Sequence, residues 1–289
     1  MLPNAKICLY PRNPEEAVRV WSEAGRRALL RAGGTTAALS KDPGVDTLID
    51  LTRMGCDGVT RQGDTWVLGA NLRLQALARN PGLRTLWDGM LADAAGAVGS
   101  RPIRNAATLG GNLVQCFRWS DPPVALLALN AQVELLSLQG KRMLPIDALF
   151  AKHPRQVLGS VELLTAVHLA APPAGSGGAF TKFARTAFDL AVVDVAACLS
   201  LQGGKVGAVR LAIGGTRSFP WRASEAERLL LGSKPSAAAI GAASKAAREA
   251  AQTAADVRTG KEYRLRMVEV IVRRTLERAA SNAAASVGR

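Results

Sequence analysis

Apolar positions along the chain follow two patterns, one typical of helices and one typical of short buried strands. Asn13-Pro14-Glu15-Glu16 predicts the start of a helix, with Asn13 as its cap and the glutamates at the positive end of the helix dipole. An apolar stripe follows, and Gly25 is predicted to end the helix. The run 28–32 predicts a strand that leads into Gly33-Gly34. The opening unit is therefore helix, strand and Gly-Gly turn.

The same patterns predict the remaining elements. Further strands are predicted at residues 46–51, 132–138, 142–145, 163–169, 192–201 and 206–213, and residues 65–69 are predicted to begin a second unit. Helices are predicted at residues 71–79, 85–98, 223–231, 236–254 and 261–280, with a short helix or apolar run at 124–129. The helix at 85–98 should stop before Pro102, residues 113–120 are predicted to be irregular, and the tail 281–289 to be frayed. The Pro- and Gly-rich stretch 171–178 predicts a linker, followed by a small antiparallel sheet and then helices.

Two Gly-Gly turns are the candidate chemistry. The first glycine segment is Ala32-Gly33-Gly34-Thr35-Thr36, and the second is Thr108-Leu109-Gly110-Gly111-Asn112. Glycine pairs adopt backbone angles closed to other residues, so their peptide N–H groups can converge on a phosphate. A single Gly-Gly is usually only a turn, but both segments also offer threonine hydroxyls. Together they could bind the two phosphates of a dinucleotide.

Composition and charge argue against nucleic-acid binding and against a membrane span. The 289 residues carry a formal net charge of +14, yet the basic residues are scattered and only 4% of residues are aromatic. Without a nucleic-acid-binding motif, this charge favours docking to an acidic protein partner, or solubility, over nucleic-acid binding. No apolar run approaches the roughly 20 residues needed to span a bilayer, and the N-terminal residues do not resemble a signal peptide.

The usual catalytic and metal-binding signatures are not found. The sequence contains neither a Walker motif nor GxGxxG between a strand and a helix. His153 and His168 are far in sequence from the glycine segments. The four cysteines at 8, 56, 116 and 198 are widely spaced, which predicts buried free thiols, no metal site and a reducing, cytoplasmic setting. No catalytic side-chain set is predicted.

A family resemblance adds to this interpretation. Residues 103–113, Ile-Arg-Asn-Ala-Ala-Thr-Leu-Gly-Gly-Asn-Leu, closely resemble the "IRNxATxGGNL" signature of the FAD-binding subunits of molybdenum hydroxylases, which include carbon monoxide and xanthine dehydrogenases. The first glycine segment resembles the family's "AGGTxL" loop. Weaker similarities follow in family order: Gly69-Ala70 to "GA", residues 120–129 to "SDxxxALLAL", residues 182–189 to "KxxxRxxxDxA", and residues 262–264 to "EYR".

The resemblance implies an α+β fold. It consists of a two-part FAD-binding domain of the PCMH type, at residues 1–57 and 58–170. After the linker 171–177, residues 178–289 would form the C-terminal domain of the carbon monoxide dehydrogenase flavoprotein kind, an antiparallel sheet plus a helical bundle.

The resemblance also implies a cofactor, partners and site residues. FAD would be bound non-covalently, and molybdopterin and [2Fe–2S] clusters would lie only on a large and a small partner subunit. Electrons would pass from those clusters through FAD to an external acceptor. The cofactor-binding residues implied are Ala32, Gly33, Gly34, Thr35, Thr36, Thr108, Gly110, Gly111, Asn112, Asp121 and Lys182. Lys182 would lie near the isoalloxazine ring.

Some positions depart from the family pattern. Leu190 stands where many members have an aromatic residue, and Leu72 replaces a frequent small hydroxyl residue. Residues 114–119 are similar to a region that binds an iron–sulfur cluster in some members, but Cys116 alone cannot replace four cysteines. Two alternatives remain open: a free-standing flavin-dependent oxidoreductase, and a basic binding or scaffold protein that has lost flavin.

Overall fold

The computed structural model describes residues 4–287, which fold into mixed helices and strands. The strands are β1 (Ile7–Leu9), β2 (Ala28–Arg31), β3 (Thr47–Asp50), β4 (Val59–Gln62), β5 (Thr65–Gly69), β6 (Gln132–Ser137), β7 (Gly140–Pro145), β8 (Leu163–Ala170), β9 (Ser176–Phe183), β10 (Val193–Gln202), β11 (Lys205–Gly214) and β12 (Trp221–Arg222). The α-helices are α1 (Pro14–Ala24), α2 (Leu74–Arg79), α3 (Pro81–Thr85), α4 (Met90–Gly96), α5 (Arg101–Ala106), α6 (Leu109–Gln115), α7 (Asp121–Ala128), α8 (Ile146–Leu149), α9 (Pro154–Val157), α10 (Ser224–Leu230), α11 (Ala237–Ala250) and α12 (Lys261–Val287).

Two compact units divide these residues, and each is built from separate stretches of chain. The first comprises residues 4–76, 101–115 and 131–169, and the second 77–100, 116–130 and 170–287. Segments of the two units therefore alternate along the sequence. The predicted domain boundaries, which are contiguous, stay a prediction.

The first unit contains a parallel sheet in the order β1-β3-β2 and a five-stranded sheet in the order β4-β5-β8-β6-β7. Helix α1 starts as predicted: the Asn13 side chain accepts the N–H of Glu16 at 2.8 Å, and Gly25 ends the helix with a φ of 59°. Its buried Ala17 and Val18 join a core cluster with residues of both sheets, including Ile49. Burial of this apolar stripe fixes the helix against the sheets.

The second unit contains an antiparallel sheet in the order β12-β11-β10-β9. One face of β10, including Val195 and Leu199, packs with α10, α11 and α12 in a large apolar cluster. The alternate residues face α7, as shown by the Cys198 thiol 3.1 Å from the carbonyl oxygen of Ala128. The predicted β10–β11 hairpin is confirmed, with Gly203 and Gly204 at φ values of 57° and 75°.

The helix predicted over residues 85–98 is wrong as a continuous element. Trp87 and Asp88 adopt left-handed backbone angles, with φ of 49° and 52°, and α4 begins only at Met90. The Asp88 carboxylate accepts the N–H of Gly178 at 2.9 Å, and the Trp87 indole is buried. These contacts within the second unit outweigh the helical preference of the local sequence.

The predicted frayed tail is also wrong, because α12 continues to Val287. The Asn282 amide donates to the carbonyl of Gly178 at 2.8 Å, and the Ser286 hydroxyl donates to that of Ser176 at 2.9 Å. A Cβ atom on Gly177 would lie 2.2 Å from the backbone nitrogen of Ala283. The last residues of the predicted linker therefore belong to β9, where glycine allows the helix backbone to approach. Residues 288 and 289 lie outside the described residues.

Five strands, β1, β4, β5, β9 and β12, were not predicted from the sequence, and β1 and β4 are among the shortest of them. β1 has three residues and β4 four, and most of their side chains are exposed. Such short strands show little alternation of apolar and polar positions, because almost no face is buried.

Candidate functional site

The two glycine segments meet in the first unit. Strand β2 leads into the first segment, and a Cβ atom on Gly33 would lie 2.0 Å from the carbonyl oxygen of Ala106 and 3.0 Å from the Cα atom of Ala107. These two residues directly precede the second segment. Only glycine permits this approach of backbone to backbone.

A partly buried ion pair, between half-exposed Arg31 and buried Asp50, supports the first segment. The Arg31 guanidinium pairs with the Asp50 carboxylate, and the two residues are register partners at the ends of β2 and β3. Asp50 is buried and also accepts the N–H of Thr52 at 2.9 Å. A Cβ atom on Gly34, which has a φ of 72°, would lie 2.9 Å from the Arg31 Nε atom. Sequence reasoning missed this pair, although opposite charges at the ends of two predicted strands could have indicated it.

The N–H groups of the first segment are available to a ligand. Among the hydrogen bonds found within residues 4–287, none uses the backbone N–H of Gly34, Thr35 or Thr36. Thr35 is exposed and its two neighbours are half-buried. Unpaired N–H groups beside threonine hydroxyls suit the oxygens of a phosphate.

The second segment does not have the predicted geometry. Its glycines have ordinary helical angles, since Gly110 and Gly111 lie within α6. Its N–H groups are already used: Leu109 donates to the Leu72 carbonyl at 2.9 Å, Gly110 to the Ala70 carbonyl at 2.8 Å, Gly111 to the Thr108 hydroxyl at 3.2 Å and Asn112 to the Thr108 carbonyl at 3.0 Å. The expectation that this turn presents a set of free N–H groups is wrong, because they cap α6 and join it to the segment before α2.

These glycines serve close packing instead. A Cβ atom on Gly110 would lie 2.8 Å from the Cβ atom of Ala70, and one on Gly111 would lie 2.8 Å from the Thr108 Oγ1 atom. Thr108 is buried, so its hydroxyl acts within the segment. Thr108 thus caps α6, and its expected contact with the cofactor stays a prediction.

Asn112 offers a free acceptor. Its Oδ1 atom is buried and has no hydrogen-bond partner within the described residues. A buried acceptor without a donor is costly unless a bound group supplies one. A hydroxyl group of the ribityl or ribose type would satisfy it, so the residues present fit a flavin dinucleotide.

Two arginines make hydrogen bonds around the residues that precede the second segment. The Arg73 guanidinium donates to the carbonyl of Ala106, and the Arg104 Nε atom donates to the Gln75 side chain at 3.0 Å. Arg101 is exposed. The role of Arg104 is therefore at least partly structural, and Arg73 was missed because nothing in its local sequence points to residue 106.

Asp121 and Lys182 lie together in the second unit. Asp121 begins α7 and Lys182 lies on β9, with 3.1 Å between the Asp121 Oδ2 and Lys182 Nζ atoms. Lys182 also donates to the carbonyl of Ala97 at 2.8 Å. Burial raises the pKa of Asp121 to about 6, against the opposing effect of Lys182. The pair holds a buried cation in one position.

Asp194 is a further buried carboxyl group that sequence reasoning missed. It is fully buried and is the register partner of Lys182. Neither of its carboxyl oxygens has a hydrogen-bond partner within the described residues. Burial and the charge of Asp121 raise its pKa well above the ordinary value. An aspartate within an otherwise apolar strand pattern was the available signal.

The remaining candidates do not form a site. Cys116 and Cys198 are buried as predicted, but Cys8, on the edge strand β1, is exposed, and Cys56 is half-buried. His168 lies in β8, 3.7 Å from the Glu134 carboxylate. Across residues 4–287, no cluster of three or more His, Cys, Asp or Glu side chains is arranged to hold a metal, and no helix is long and apolar enough to cross a membrane.

Comparison with known families agrees with the geometry. Residues 4–172 match the family described as the FAD binding domain in molybdopterin dehydrogenase. Residues 178–279 match the CO dehydrogenase flavoprotein C-terminal domain.

Individual relatives cover nearly the whole chain. The alpha subunit of the 6-hydroxypseudooxynicotine dehydrogenase complex of Paenarthrobacter nicotinovorans is 31% identical over 275 residues, 92% of this chain and 91% of the relative. The carbon monoxide dehydrogenase medium chain of Afipia carboxidovorans is 28% identical over 98% of this chain and 99% of its own. The structure of carbon monoxide dehydrogenase from Hydrogenophaga pseudoflava superimposes with a TM-score of 0.91 at 28% identity, covering 98% of this chain and 99% of that chain.

The predicted fold class, an FAD-binding domain followed by a sheet-plus-helix domain, is confirmed by this superposition. The chain belongs to the FAD-binding subunits of the molybdenum hydroxylases, a family of oxidoreductases.

Proposed function

We propose that this chain is the electron-transfer subunit of a molybdenum hydroxylase complex. A large molybdopterin-binding subunit would oxidise the substrate, and the [2Fe–2S] clusters of a small subunit would deliver electrons to the FAD held here. An external acceptor would then receive them. Family membership and the relatives described as medium chains support this assignment.

The observation that carries the proposal is the backbone contact between Gly33 and Ala106. It puts the free N–H groups of the first glycine segment beside the second segment, which includes the unsatisfied acceptor of Asn112. In the proposal, Gly34, Thr35 and Thr36 bind the pyrophosphate, and Asn112 accepts a hydrogen bond from a hydroxyl group of the cofactor.

The other proposed cofactor-binding residues act in different ways. Ala32, Gly33, Gly110 and Gly111 provide close backbone approach, and Thr108 caps α6. In the second unit, Asp121 orients the Lys182 ammonium, which is the proposed cation near the flavin ring. When bound, FAD can take up and release electrons either in pairs or one at a time.

The proposal keeps the domain division at residues 1–57, 58–170, 171–177 and 178–289. It also includes a cytoplasmic setting, which the four free thiols favour.

The electron-transfer step is tested by rapid mixing without oxygen. A small [2Fe–2S] subunit, reduced with dithionite and freed of excess reductant, is mixed with the FAD-loaded chain. We expect the flavin absorbance to bleach at a rate that depends on the concentration of the small subunit. An FAD-loaded chain that dithionite reduces but the small subunit does not would contradict the proposal.

A further inference from the structure

The second unit contains a buried cluster of ionisable groups with more carboxyl groups than cations. Asp121 and Asp194 are 2% and 0% exposed, and Lys182 is the cation that pairs with Asp121. The Lys182 ammonium uses two of its three protons on Asp121 and on the carbonyl of Ala97. The cluster would carry a net negative charge in the protein interior if both carboxyl groups were ionised.

Burial and the charge of Asp121 oppose a negative charge on Asp194 and outweigh the opposite effect of Lys182. Strand β11 places Gly214 beside it, where a Cβ atom would lie 2.3 Å from the Asp194 Oδ1 atom and 2.6 Å from a methyl group of Val124 on α7. Neither Asp194 oxygen accepts a hydrogen bond within residues 4–287. An ionised carboxylate with no donor in an apolar environment is strongly destabilising, whereas the neutral acid costs far less.

The ionisable groups that act on Asp194 come from three elements. Lys182 lies opposite it on β9 and is held by Asp121 of α7, whose charge opposes ionisation of Asp194. Cys116, in the segment before α7, is buried and its thiol pKa is raised to about 12 by burial and by Asp194, so it is neutral. The one cation among these groups is therefore engaged by Asp121.

We infer that Asp194 is a buried proton-binding site. The folded chain holds one proton on this carboxyl group, so Lys182 forms an ion pair with Asp121 alone. The ligand of this site is a proton, and the site links the folded state to pH. The inference goes beyond the proposed function and does not depend on it, because it concerns the full chain without FAD.

The sign of the pH effect follows from proton counting. The folded state holds the proton and the unfolded state, with an ordinary aspartate, releases it above about pH 4. Protonated Asp194 contributes its full stabilisation of the folded state below that pH. This contribution is lost as the pH rises toward the value at which folded Asp194 ionises. The unfolding equilibrium constant should therefore rise by up to about tenfold per pH unit relative to a variant without the group.

The test compares the wild-type chain with Asp194→Asn between pH 7 and 8.5, where Asp121 is mostly ionised. Unfolding in urea should give a ratio of unfolding constants, wild type to variant, that rises with pH over this range, by up to about tenfold per pH unit. Glu225→Gln is the matched control, because Glu225 is an exposed carboxylate of the same unit, paired with Arg228. Its ratio should stay constant over this range. A constant ratio for Asp194→Asn as well would overturn the inference.

Two further measurements keep the test decisive if Asp194→Asn does not fold. Unfolding of the wild-type chain at pH 7 in weakly buffered solution should release a proton, detected with a pH indicator, and no release would overturn the inference. Replacing choline by sodium or potassium at constant ionic strength should leave the stability unchanged. Stabilisation by either cation would show that Asp194 binds a metal cation instead.

Discussion

The carbonyl oxygen of Ala106 lies where the side chain of residue 33 would begin: a Cβ atom on Gly33 would be 2.0 Å from it. Residues more than 70 positions apart in the sequence thus share one backbone contact. The same carbonyl accepts a hydrogen bond from Arg73, which fixes its position. The contact explains why a glycine is required at the first segment, and it links the two segments of the proposed FAD site.

Gly110→Ala should destabilise the first unit. The new methyl group would meet the Cβ atom of Ala70 at 2.8 Å in a buried position, and overpacking of this kind costs about 1 to 3 kcal/mol. Thermal unfolding of the chain without FAD measures this loss directly. Gly241→Ala is a suitable control, because nothing lies within 4 Å of a Cβ atom at that helical position. Equal midpoints for the two variants would be inconsistent with the tight packing described.

Asn112→Ala should weaken FAD binding and leave the stability of the fold almost unchanged. The variant loses a buried acceptor that has no partner in the described chain, so the free energy of unfolding without FAD should change by less than about 1 kcal/mol. FAD affinity should fall about tenfold, the effect of losing one good hydrogen bond. Fluorescence titration with FAD measures the dissociation constant. Unchanged affinity would show that Asn112 does not contact the cofactor.

Lys182→Met should make stability depend more strongly on pH. The folded pKa of Asp121, about 6, lies above its unfolded value. The protonated form therefore stabilises the fold fully below about pH 4, and this contribution is lost as the pH rises through 6. Without Lys182, folded Asp121 must keep its proton at higher pH. The loss of stability relative to wild type should be small at pH 5 and grow by about 1.4 kcal/mol per pH unit above 6.

Urea unfolding of Lys182→Met at pH 5, 6, 7 and 8 checks this dependence. Lys245→Met is the control, because Lys245 is exposed and its carboxylate partner, Glu249, lies 3.9 Å away. A loss that is the same at every pH would mean that Lys182 stabilises the fold by packing alone.

The basic surface should contribute to subunit assembly. A formal net charge of +14 without nucleic-acid-binding motifs favours acidic protein partners. Raising the salt concentration shortens the Debye length from about 10 Å at 0.1 M to 3 Å at 1 M and should weaken the complex. Size-exclusion chromatography of the chain with its large and small subunits at increasing salt tests this. Assembly that is insensitive to salt would argue against an electrostatic contribution.

The sequence was a good guide to local structure and to family. The cap of Asn13, the stop at Gly25 and the Gly203-Gly204 hairpin depend on neighbouring residues, and each was predicted correctly. The broken helix at Trp87 and the ordered end of α12 were not, because distant backbone groups at Gly178 and Ser176 decide them.

In the candidate site, too, local features could be predicted and those set by distant contacts could not. The two glycine segments could be recognised from their residues, but not the use of their N–H groups. Within residues 4–287, the N–H groups of Gly34, Thr35 and Thr36 in the first segment have no hydrogen-bond partner, whereas those of residues 109–112 donate to Leu72, Ala70 and Thr108. Arg73 and Asp194 gain their roles only when strands and helices distant in sequence come together.

The most direct test of the account is FAD binding by Gly33→Ala compared with Gly58→Ala. Both are in the first unit, but nothing lies within 4 Å of a Cβ atom at Gly58. We predict that Gly58→Ala binds FAD like wild type, and that Gly33→Ala binds at least about tenfold more weakly while keeping its circular dichroism spectrum. Equal, stoichiometric FAD binding by wild type and both variants would contradict the two-segment site.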